Sequence, residues 1–158
     1  MIKFEKVSKE EFAKNVSADL RLYDNYSLPK RSSDGSAGYD FMAPKKYVIK
    51  AGERLLIPTG VKASFPKEVV LLIAIRSSMA LKHNLSLINQ IGVIDSDYYG
   101  DASNEGHIYV GLKNDGTDDY VIEAGDKIVQ GIFVPCCFLT EEEPLEKRDG
   151  WTYMKERK

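Results

Sequence analysis

Apolar residues from Tyr39 onward fall in short runs separated by turn residues, without the regular three-to-four-residue spacing of a helix. Ala51-Gly52 and Thr59-Gly60 are two of these turn signals. The segment EVVLLIAIRSS at residues 68–78 is apolar over most of its length, which is typical of a strand buried on both faces. Six or more such segments occur, so the pattern predicts a mainly β fold, either a sandwich or a barrel.

The beginning of the chain carries a helix signal instead. Ser8 and Glu11 have the spacing of a capping box, in which each side chain bonds the backbone N–H of the other residue. Val7 and Phe12 occupy the positions of a hydrophobic staple around the same helix start. We therefore expect a short helix that begins at Ser8 and ends before residues 17–25.

Two segments of the chain resemble each other: VIKAGERLLI at residues 48–57 and VIEAGDKIVQ at residues 121–130. In both, an Ala-Gly pair separates two strand-like runs. The pattern recurs only once, so it predicts a shared strand-turn-strand geometry and not a solenoid repeat.

The length of 158 residues and the hydrophobic content of 43% suit one domain with a substantial core. We expect an N-terminal helix and first strand region at residues 1–27 and a β domain at residues 28–139. A charged tail follows at residues 140–158, which has almost no aliphatic residues and is expected to be mobile.

Charge and cysteine usage restrict the partners and the location. The 22 basic residues against 24 acidic ones leave a net charge of -2, which gives no footprint for nucleic acid. No apolar run approaches the ~20 residues of a membrane span, and the N-terminus lacks the apolar stretch of a signal peptide. Cys136 and Cys137 are adjacent and cannot link distant parts of the fold, so we expect a reduced, cytoplasmic protein.

Several familiar kinds of site are absent from the sequence. His83 and His107 belong to no metal-ligand pattern, and the cysteine pair has no matching second pair, so a structural zinc is not expected. The chain has no G-x-S-x-G elbow, P-loop or G-x-G-x-x-G motif.

The remaining candidates are polar residues within apolar strands, where charge is costly unless it is paired or used. They are Asp40, Arg76-Ser77-Ser78, Asn89, Asp95 and Asp97. Taken alone, Arg76 suits either a salt bridge at a strand end or anion binding. Asp40 alone would be assigned to a turn or a cap.

Four ordered segments carry a family resemblance: SAGYDF (36–41), IRSSMA (75–80), NQIGVIDSDYYG (89–100) and GDKIVQGIF (125–133). Together they resemble the motifs of the trimeric dUTP diphosphatases (dUTPases), over roughly residues 28–138. The resemblance implies a β-barrel or jelly-roll protomer and a homotrimer whose active sites are shared between subunits. It also implies hydrolysis of dUTP to dUMP and pyrophosphate with Mg²⁺, which keeps uracil out of DNA and supplies dUMP for thymidylate synthesis.

The resemblance assigns the base, the sugar and the uracil to the third motif. Asp95 resembles the carboxylate that activates water for attack on the α-phosphorus. Tyr98 resembles the tyrosine that packs under the deoxyribose and excludes a 2′-hydroxyl. The uracil-binding hairpin corresponds to Asn89, Gly92, Val93 and Ile94. Asp97 is assigned to structure or solvation.

The phosphate chain and the metal are assigned to the other motifs. The resemblance places Arg76, Ser77, Ser78 and Gln130 on the phosphates. Asp40 resembles the carboxylate that reaches Mg²⁺ through water, which suits a hard cation that keeps its hydration. Asp126 is expected to fix the turn before the fourth motif.

The sequence departs from the family pattern in two places. Residues 101–106 form an insert, and we expect Glu105 and His107 to lie in a solvated loop, although an approach to a neighbouring site is an alternative. The fifth motif is degenerate, since only Arg148, Gly150 and Trp151 remain and its other glycines are missing. Arg148 and Trp151 would clamp the γ-phosphate and stack on uracil, or the tail would stay disordered.

Two other functions stay open from the sequence. A dCTP deaminase shares the fold, but Gly111 occupies the position where the catalytic glutamate of that class would lie. A non-enzymatic nucleotide-sensing or protein-binding module would explain the eroded tail, whereas the presence of Asp95 opposes it.

Overall fold

The computed structural model describes residues 1–146. The strands in this range are β1 (Lys3–Lys6), β2 (Lys30–Arg31), β3 (Tyr39–Met42), β4 (Tyr47–Ile49), β5 (Arg54–Pro58), β6 (Val61–Ser64), β7 (Val69–Ile75), β8 (Leu85–Leu87), β9 (Gly92–Ile94), β10 (Tyr109–Asn114), β11 (Tyr120–Ile122) and β12 (Lys127–Pro135). The helices are α1 (Lys9–Asn15), α2 (Leu20–Asn25) and α3 (Ser77–His83), with a 3-10 turn at Ser96–Tyr98.

The strands form antiparallel sheets. The largest has the order β2-β3-β12-β7-β9, and a second has the order β5-β10-β8. Two further pairs, β1-β6 and β4-β11, complete the set. This arrangement confirms the prediction of a mainly β, jelly-roll-like fold, but the sheets do not close into a barrel.

Within the segment at residues 68–78, Val69–Ile75 forms β7, which is paired on one side with β12 and on the other with β9. Leu71 and Ile73 on one face are almost completely buried, whereas Leu72 and Ala74 on the other face are only partly buried. Phe41 of β3 and Val129 of β12 belong to the same core. The prediction of a strand buried on both faces is therefore half confirmed, since one face of β7 is buried and the other is partly exposed.

The two similar segments have the predicted strand-turn-strand geometry, and their first strands pair with each other. In β4 and β11, Val48 lies opposite Val121. Each turn contains a glycine with positive φ, +79° at Gly52 and +89° at Gly125, a conformation that other residues adopt only with strain.

The N-terminal prediction is half confirmed. Helix α1 is capped by Ser8, whose Oγ accepts a hydrogen bond from Glu11 N at 3.1 Å. The reciprocal half of the capping box is wrong, because Ser8 N donates to Glu105 Oε2 at 3.0 Å. Helix α2, capped by Asp19, lies in a region where no helix was predicted.

The thiols of Cys136 and Cys137 are free. Within residues 1–146, no helix is long and apolar enough to cross a bilayer. The division at residues 27 and 139 stays a prediction. The expected contacts of Arg148, Gly150 and Trp151 lie outside the described residues.

Candidate active site

One pocket brings together all of the residues predicted from the third motif to bind the base and the sugar. It lies beside the connection between β8 and β9 and the 3-10 turn that follows β9. The prediction of a hairpin here is wrong, because β8 pairs with β10 and β9 pairs with β7, in different sheets. The predicted residues that line it are Asn89, Gly92, Val93, Ile94, Asp95 and Tyr98. The sequence analysis missed four further lining residues, Ile73, Leu87, Tyr109 and Val110, and Gly111 completes the lining.

Gly92 allows β9 to pack closely against β7. It pairs with Ile73 of β7, and a Cβ at this position would lie 2.9 Å from the Ile73 Cβ. Any larger residue would therefore push β9 away from β7. Val93 next to it is 55% exposed, so its side chain is not part of the core, whereas Ile94 packs partly against the core.

Asp95 stands at the junction between β9 and the 3-10 turn. Its backbone oxygen accepts a hydrogen bond from Tyr98 N at 3.2 Å, which starts the turn. Its side chain is half-buried and lines the pocket. A carboxylate held on a rigid strand end, open to a pocket, has the placement that a general base requires.

Tyr98 is buried in the same pocket and held by two hydrogen bonds. Its hydroxyl donates to the backbone oxygen of His107 at 2.7 Å and accepts from Asn104 Nδ2 at 2.7 Å. Both partners come from the insert or the residue just after it. The ring therefore has a fixed orientation before any ligand arrives.

The expectation of a solvated loop for Glu105 and His107 is wrong. Glu105 accepts hydrogen bonds from Ser8 and from Lys62 Nζ, the latter at 3.1 Å. His107 is 0% exposed, with its Nε2 accepting from Gly60 N at 2.8 Å. Hydrogen bonds to the distant N-terminal segment order this loop, and the local sequence contains no sign of them.

The buried imidazole of His107 has a defined tautomer. Because the Gly60 N–H donates to Nε2, the ring proton lies on Nδ1 and is donated to Glu11 Oε1 at 2.9 Å. Burial lowers the pKa of His107 below its ordinary value, although the Glu11 carboxylate opposes this shift. His107 is therefore a neutral structural residue at pH 7.

A second cleft contains the residues predicted to bind phosphate and metal. Its lining residues are Ser32, Ser36, Ala37, Gly38, Asp40, Arg76, Ser77, Ser78 and Gln130. Gln130 packs so tightly on Gly38 that a Cβ there would lie 2.3 Å from its Oε1. Asp126, as expected, fixes a turn by accepting a hydrogen bond from Glu123 N at 2.8 Å.

Asp40 is the electrostatic centre of this cleft. Its carboxylate lies 3.1 Å from Arg76 Nε and 3.1 Å from Lys127 Nζ, and it accepts a hydrogen bond from Ser32 Oγ at 2.8 Å. Burial favours the neutral acid, but the bonds from Ser32 and Lys127 and the charge of Arg76 outweigh it and lower the pKa of Asp40. The salt-bridge interpretation of Arg76 is therefore correct in this structure.

The donors for a metal are few. Residues 1–146 contain no cluster of three or more acidic, histidine or cysteine side chains that would hold an ion. Asp40 is ionised and lies in the cleft with the phosphate candidates. This donor set fits Mg²⁺ only as an outer contact to a hydrated ion whose inner oxygens come from phosphates and water.

The two clefts share no lining residue. Ile94 of β9 pairs with Leu71, so the adjacent Asp95 lies beside the start of β7. Arg76 directly follows the other end of β7. At about 3.3 Å per residue the two positions lie roughly 20 Å apart. One chain therefore does not bring Asp95 and Arg76 to the same place.

Residues 24–151 match the dUTPase family. The chain is 43% identical over 123 residues to the deoxyuridine 5'-triphosphate nucleotidohydrolase of Lactococcus lactis subsp. lactis (strain IL1403), covering 78% of this chain and 82% of that protein. The chain belongs to the dUTPase family.

Similar proteins extend across other bacteria and to solved structures. The deoxyuridine 5'-triphosphate nucleotidohydrolase of Treponema denticola is 38% identical over 114 residues, covering 71% of this chain and 75% of that protein. The crystal structure of dUTPase from Streptococcus mutans superposes with a TM-score of 0.72 at 40% identity, covering 87% of this chain and 98% of that chain.

A mutant dUTPase from phage phi11 of S. aureus, which coordinates a structural Mg(II) ion, has a TM-score of 0.67 at 21% identity and covers 92% of this chain and 97% of that chain. At that identity the likeness shows the fold alone. The dUTPase-family fold is therefore present both in closer bacterial relatives and in a more distant phage protein.

Gly111 bears on the choice between dUTPase and deaminase chemistry. It lies on β10 in the wall of the Asp95 pocket, where a Cβ would lie 2.9 Å from Ile88 Cδ1. The position therefore offers neither a carboxylate nor room for one without moving Ile88. Along β10, Tyr109 and Gly111 alternate with the buried Val110 and Leu112, but Val110 also lines the pocket, so this alternation does not identify the wall from the sequence.

Proposed function

We propose that this dUTPase-family chain hydrolyses dUTP to dUMP and pyrophosphate. The observation that carries the proposal is the single pocket in which Asp95 and the buried Tyr98 lie beside the backbone of residues 92–94. That pocket offers a base, an aromatic wall and the backbone of β9, the edge strand of its sheet, for a planar heterocycle. The identity of 43% to a deoxyuridine 5'-triphosphate nucleotidohydrolase supports the same substrate.

Asp95 acts as the base that orients and deprotonates the attacking water. A carboxylate is a weak base, so alignment of water and phosphorus supplies most of the acceleration. Placement at the rigid junction of β9 and the 3-10 turn favours such alignment. A hydrolytic water then attacks the α-phosphorus, and pyrophosphate leaves.

The β8–β9 connection and β9 select the base, and Tyr98 selects the sugar. Asn89 and the peptide groups of Gly92, Val93 and Ile94 read the uracil edge, and a tight fit there leaves no room for a 5-methyl group. The fixed Tyr98 ring collides with a 2′-hydroxyl and thereby disfavours UTP.

Arg76, Ser77, Ser78 and Gln130 bind the phosphate chain. An arginine fork and hydroxyl donors suit phosphate oxygens. When bound, Mg²⁺ neutralises charge on those oxygens, and Asp40 would hold it through water. The Arg76–Asp40 pair keeps the guanidinium in the cleft before phosphate arrives.

The complete site requires more than one copy of the chain. Asp95 and Arg76 lie roughly 20 Å apart at opposite ends of β7, farther than one hydrolytic centre extends. We therefore propose that the Asp95 pocket of one subunit meets the Arg76 cleft of another, in the homotrimer that the family resemblance implies. Arg148 and Trp151 would close this site, as the family resemblance implies.

The remaining partners follow from the substrate. We propose that the chain acts on a small nucleotide and binds neither nucleic acid nor membrane, since its net charge is -2. A role in dUMP supply and in keeping uracil out of DNA places it in the cytoplasm, where the thiols of Cys136 and Cys137 would stay reduced.

Pyrophosphate release measured on dUTP, dTTP, dCTP and UTP with Mg²⁺ tests the proposal. We expect turnover of dUTP far above the other three. Ammonia release from dCTP would replace it with the deaminase function. Tight dUTP binding without turnover would replace it with the non-enzymatic module.

A further inference from the structure

The side chain of Tyr98 is held by the loop that follows it. Asn104 donates to the Tyr98 hydroxyl at 2.7 Å, and that hydroxyl donates to the His107 backbone oxygen at 2.7 Å. All three residues are buried. With one bond accepted and one donated, the hydroxyl has little freedom to rotate, so the ring position depends on the position of this loop.

The same loop packs against the backbone of Tyr98. Gly106 has φ +83°, and a Cβ there would lie 2.5 Å from the backbone oxygen of Tyr98. Asn104 Oδ1 also accepts a hydrogen bond from Gly106 N at 3.0 Å. The amide of Asn104 therefore links the closed loop to the tyrosine.

The loop is anchored on a distant part of the chain. His107 Nδ1 donates to Glu11 Oε1 at 2.9 Å, and His107 Nε2 accepts from Gly60 N at 2.8 Å. Glu105 accepts from Ser8 N at 3.0 Å, which replaces the missing half of the helix cap. Helix α1 thus fixes the His107 backbone, whose oxygen in turn fixes Tyr98.

We propose that Asn104 and the Glu11–His107 pair are positioning residues for Tyr98, and that this loop thereby sets the preference for deoxyribose over ribose. The inference rests on the proposed function, in which the Tyr98 ring packs under the sugar. Steric exclusion of a 2′-hydroxyl requires a ring that cannot move aside. The hydrogen bonds of this loop supply that rigidity, while the ring supplies the contact.

Asn104 is the residue to change first. Asn104→Ala removes the amide that holds the hydroxyl, and Asn104→Asp removes the donor while keeping an acceptor for Gly106 N. Ser103→Ala is the matched control, because Ser103 bonds Asp101 in the same loop and makes no hydrogen bond to Tyr98. Each variant is compared with wild type by kcat/KM for UTP and dUTP, and by the affinities of non-hydrolysable analogues of both.

Both Asn104 variants are expected to raise the UTP to dUTP ratio roughly three- to tenfold, the size of one buried hydrogen bond. Glu11→Ala, which frees the His107 ring, is expected to raise the ratio in the same direction. Ser103→Ala is expected to leave it unchanged.

A double-mutant cycle separates positioning from a general loss of structure. Tyr98→Phe removes the hydroxyl, so adding Asn104→Ala to Tyr98→Phe is expected to change the ratio no further. A ratio that rises independently in both backgrounds would show that Asn104 acts through another route and would overturn the proposal.

The remaining outcomes distinguish the two proposals. If wild type prefers dUTP and both Asn104 variants keep that preference, the positioning role is wrong and the proposed function stands. If wild type neither binds nor hydrolyses dUTP, both proposals fall together.

Discussion

The Nε atom of Arg76 lies 3.1 Å from Oδ1 of Asp40. This ion pair ties the first residue after β7 to the buried middle of β3, across the intervening strand β12. It places a candidate phosphate ligand and a candidate metal contact in one preformed unit. A guanidinium already held in place loses less conformational freedom when phosphate binds.

Asp40→Asn tests the structural weight of this unit. The amide leaves Arg76 and Lys127 without a counter-charge, so we expect a loss of about 1–3 kcal/mol in the free energy of unfolding at pH 7. Because the pKa of Asp40 is lowered in the folded state, its contribution is present above the unfolded pKa of ~3.9 and is lost as the pH falls below it.

Urea unfolding at pH 7 and at pH 3 measures this contribution. The difference between wild type and Asp40→Asn is expected to shrink at the lower pH. Asp34→Asn, at an exposed carboxylate, is the matched control and is expected to change stability by less than about 0.5 kcal/mol. An equal difference at both pH values would contradict the ion-pair account.

The buried His107 leads us to expect a second pH dependence of stability, at higher pH than that of Asp40. Burial lowers its folded pKa, so the unfolded chain takes up the proton first and stability falls as the pH drops below ~6.5. Protonation would also remove the acceptor for Gly60 N. We expect wild type to lose about 1 kcal/mol between pH 7.5 and pH 5.5 through this group.

Chemical denaturation of His107→Gln across the same interval measures the effect, with His83→Gln as the control at an exposed histidine. The His107 variant is expected to show a flatter pH profile than wild type, and the His83 variant is expected to follow wild type. Parallel profiles for wild type and His107→Gln would assign the pH dependence to other groups.

Gly92→Ala tests the close packing of β9 on β7. The added Cβ would lie 2.9 Å from the Ile73 Cβ, so β9 has to shift away from β7. Overpacking of this kind costs about 1–3 kcal/mol. We expect a lower thermal midpoint and a higher KM for dUTP, whereas Gly35→Ala, with open space around its Cβ position, is expected to leave KM unchanged. A wild-type KM in Gly92→Ala would show that β9 does not bind the base.

The sequence predicts this structure well where signals are local. The helix cap at Ser8 follows from adjacent residues in the sequence. The turns at Gly52 and Gly125 follow from Ala-Gly pairs, whose glycines have positive φ in the structure. The hydrogen bonds of Glu105 do not follow from the sequence, because its partner Ser8 lies 97 positions away and only the tertiary fold brings the two residues together. The four family motifs predicted residues in both clefts but missed Ile73, Leu87, Tyr109 and Val110 in the Asp95 pocket. The distance of roughly 20 Å between Asp95 and Arg76 follows only from strand register.

Asp95→Asn tests the base. The variant is nearly isosteric, so we expect unchanged folding and dUTP binding, with turnover lowered by roughly 10² to 10⁴. Steady-state kinetics together with calorimetric affinity for a non-hydrolysable dUTP analogue separate the two effects. Asp97→Asn, two residues along in the 3-10 turn, is the comparison and is expected to keep most of the activity. Wild-type turnover in Asp95→Asn would assign the base to another group.

Complementation between two inactive variants tests the shared site most directly. The variants Asp95→Asn and Arg76→Ala are each expected to be nearly inactive alone. Each variant keeps the functional residue that the other has lost. Mixed in equal amounts, unfolded and refolded together, they are expected to recover about one quarter of wild-type activity, the share of sites that combine two intact halves in random assembly. Co-purification of two differently tagged variants verifies that mixed oligomers form. Mixed oligomers without recovered activity would show that each chain completes its own site, and the account of a site shared between subunits would be wrong.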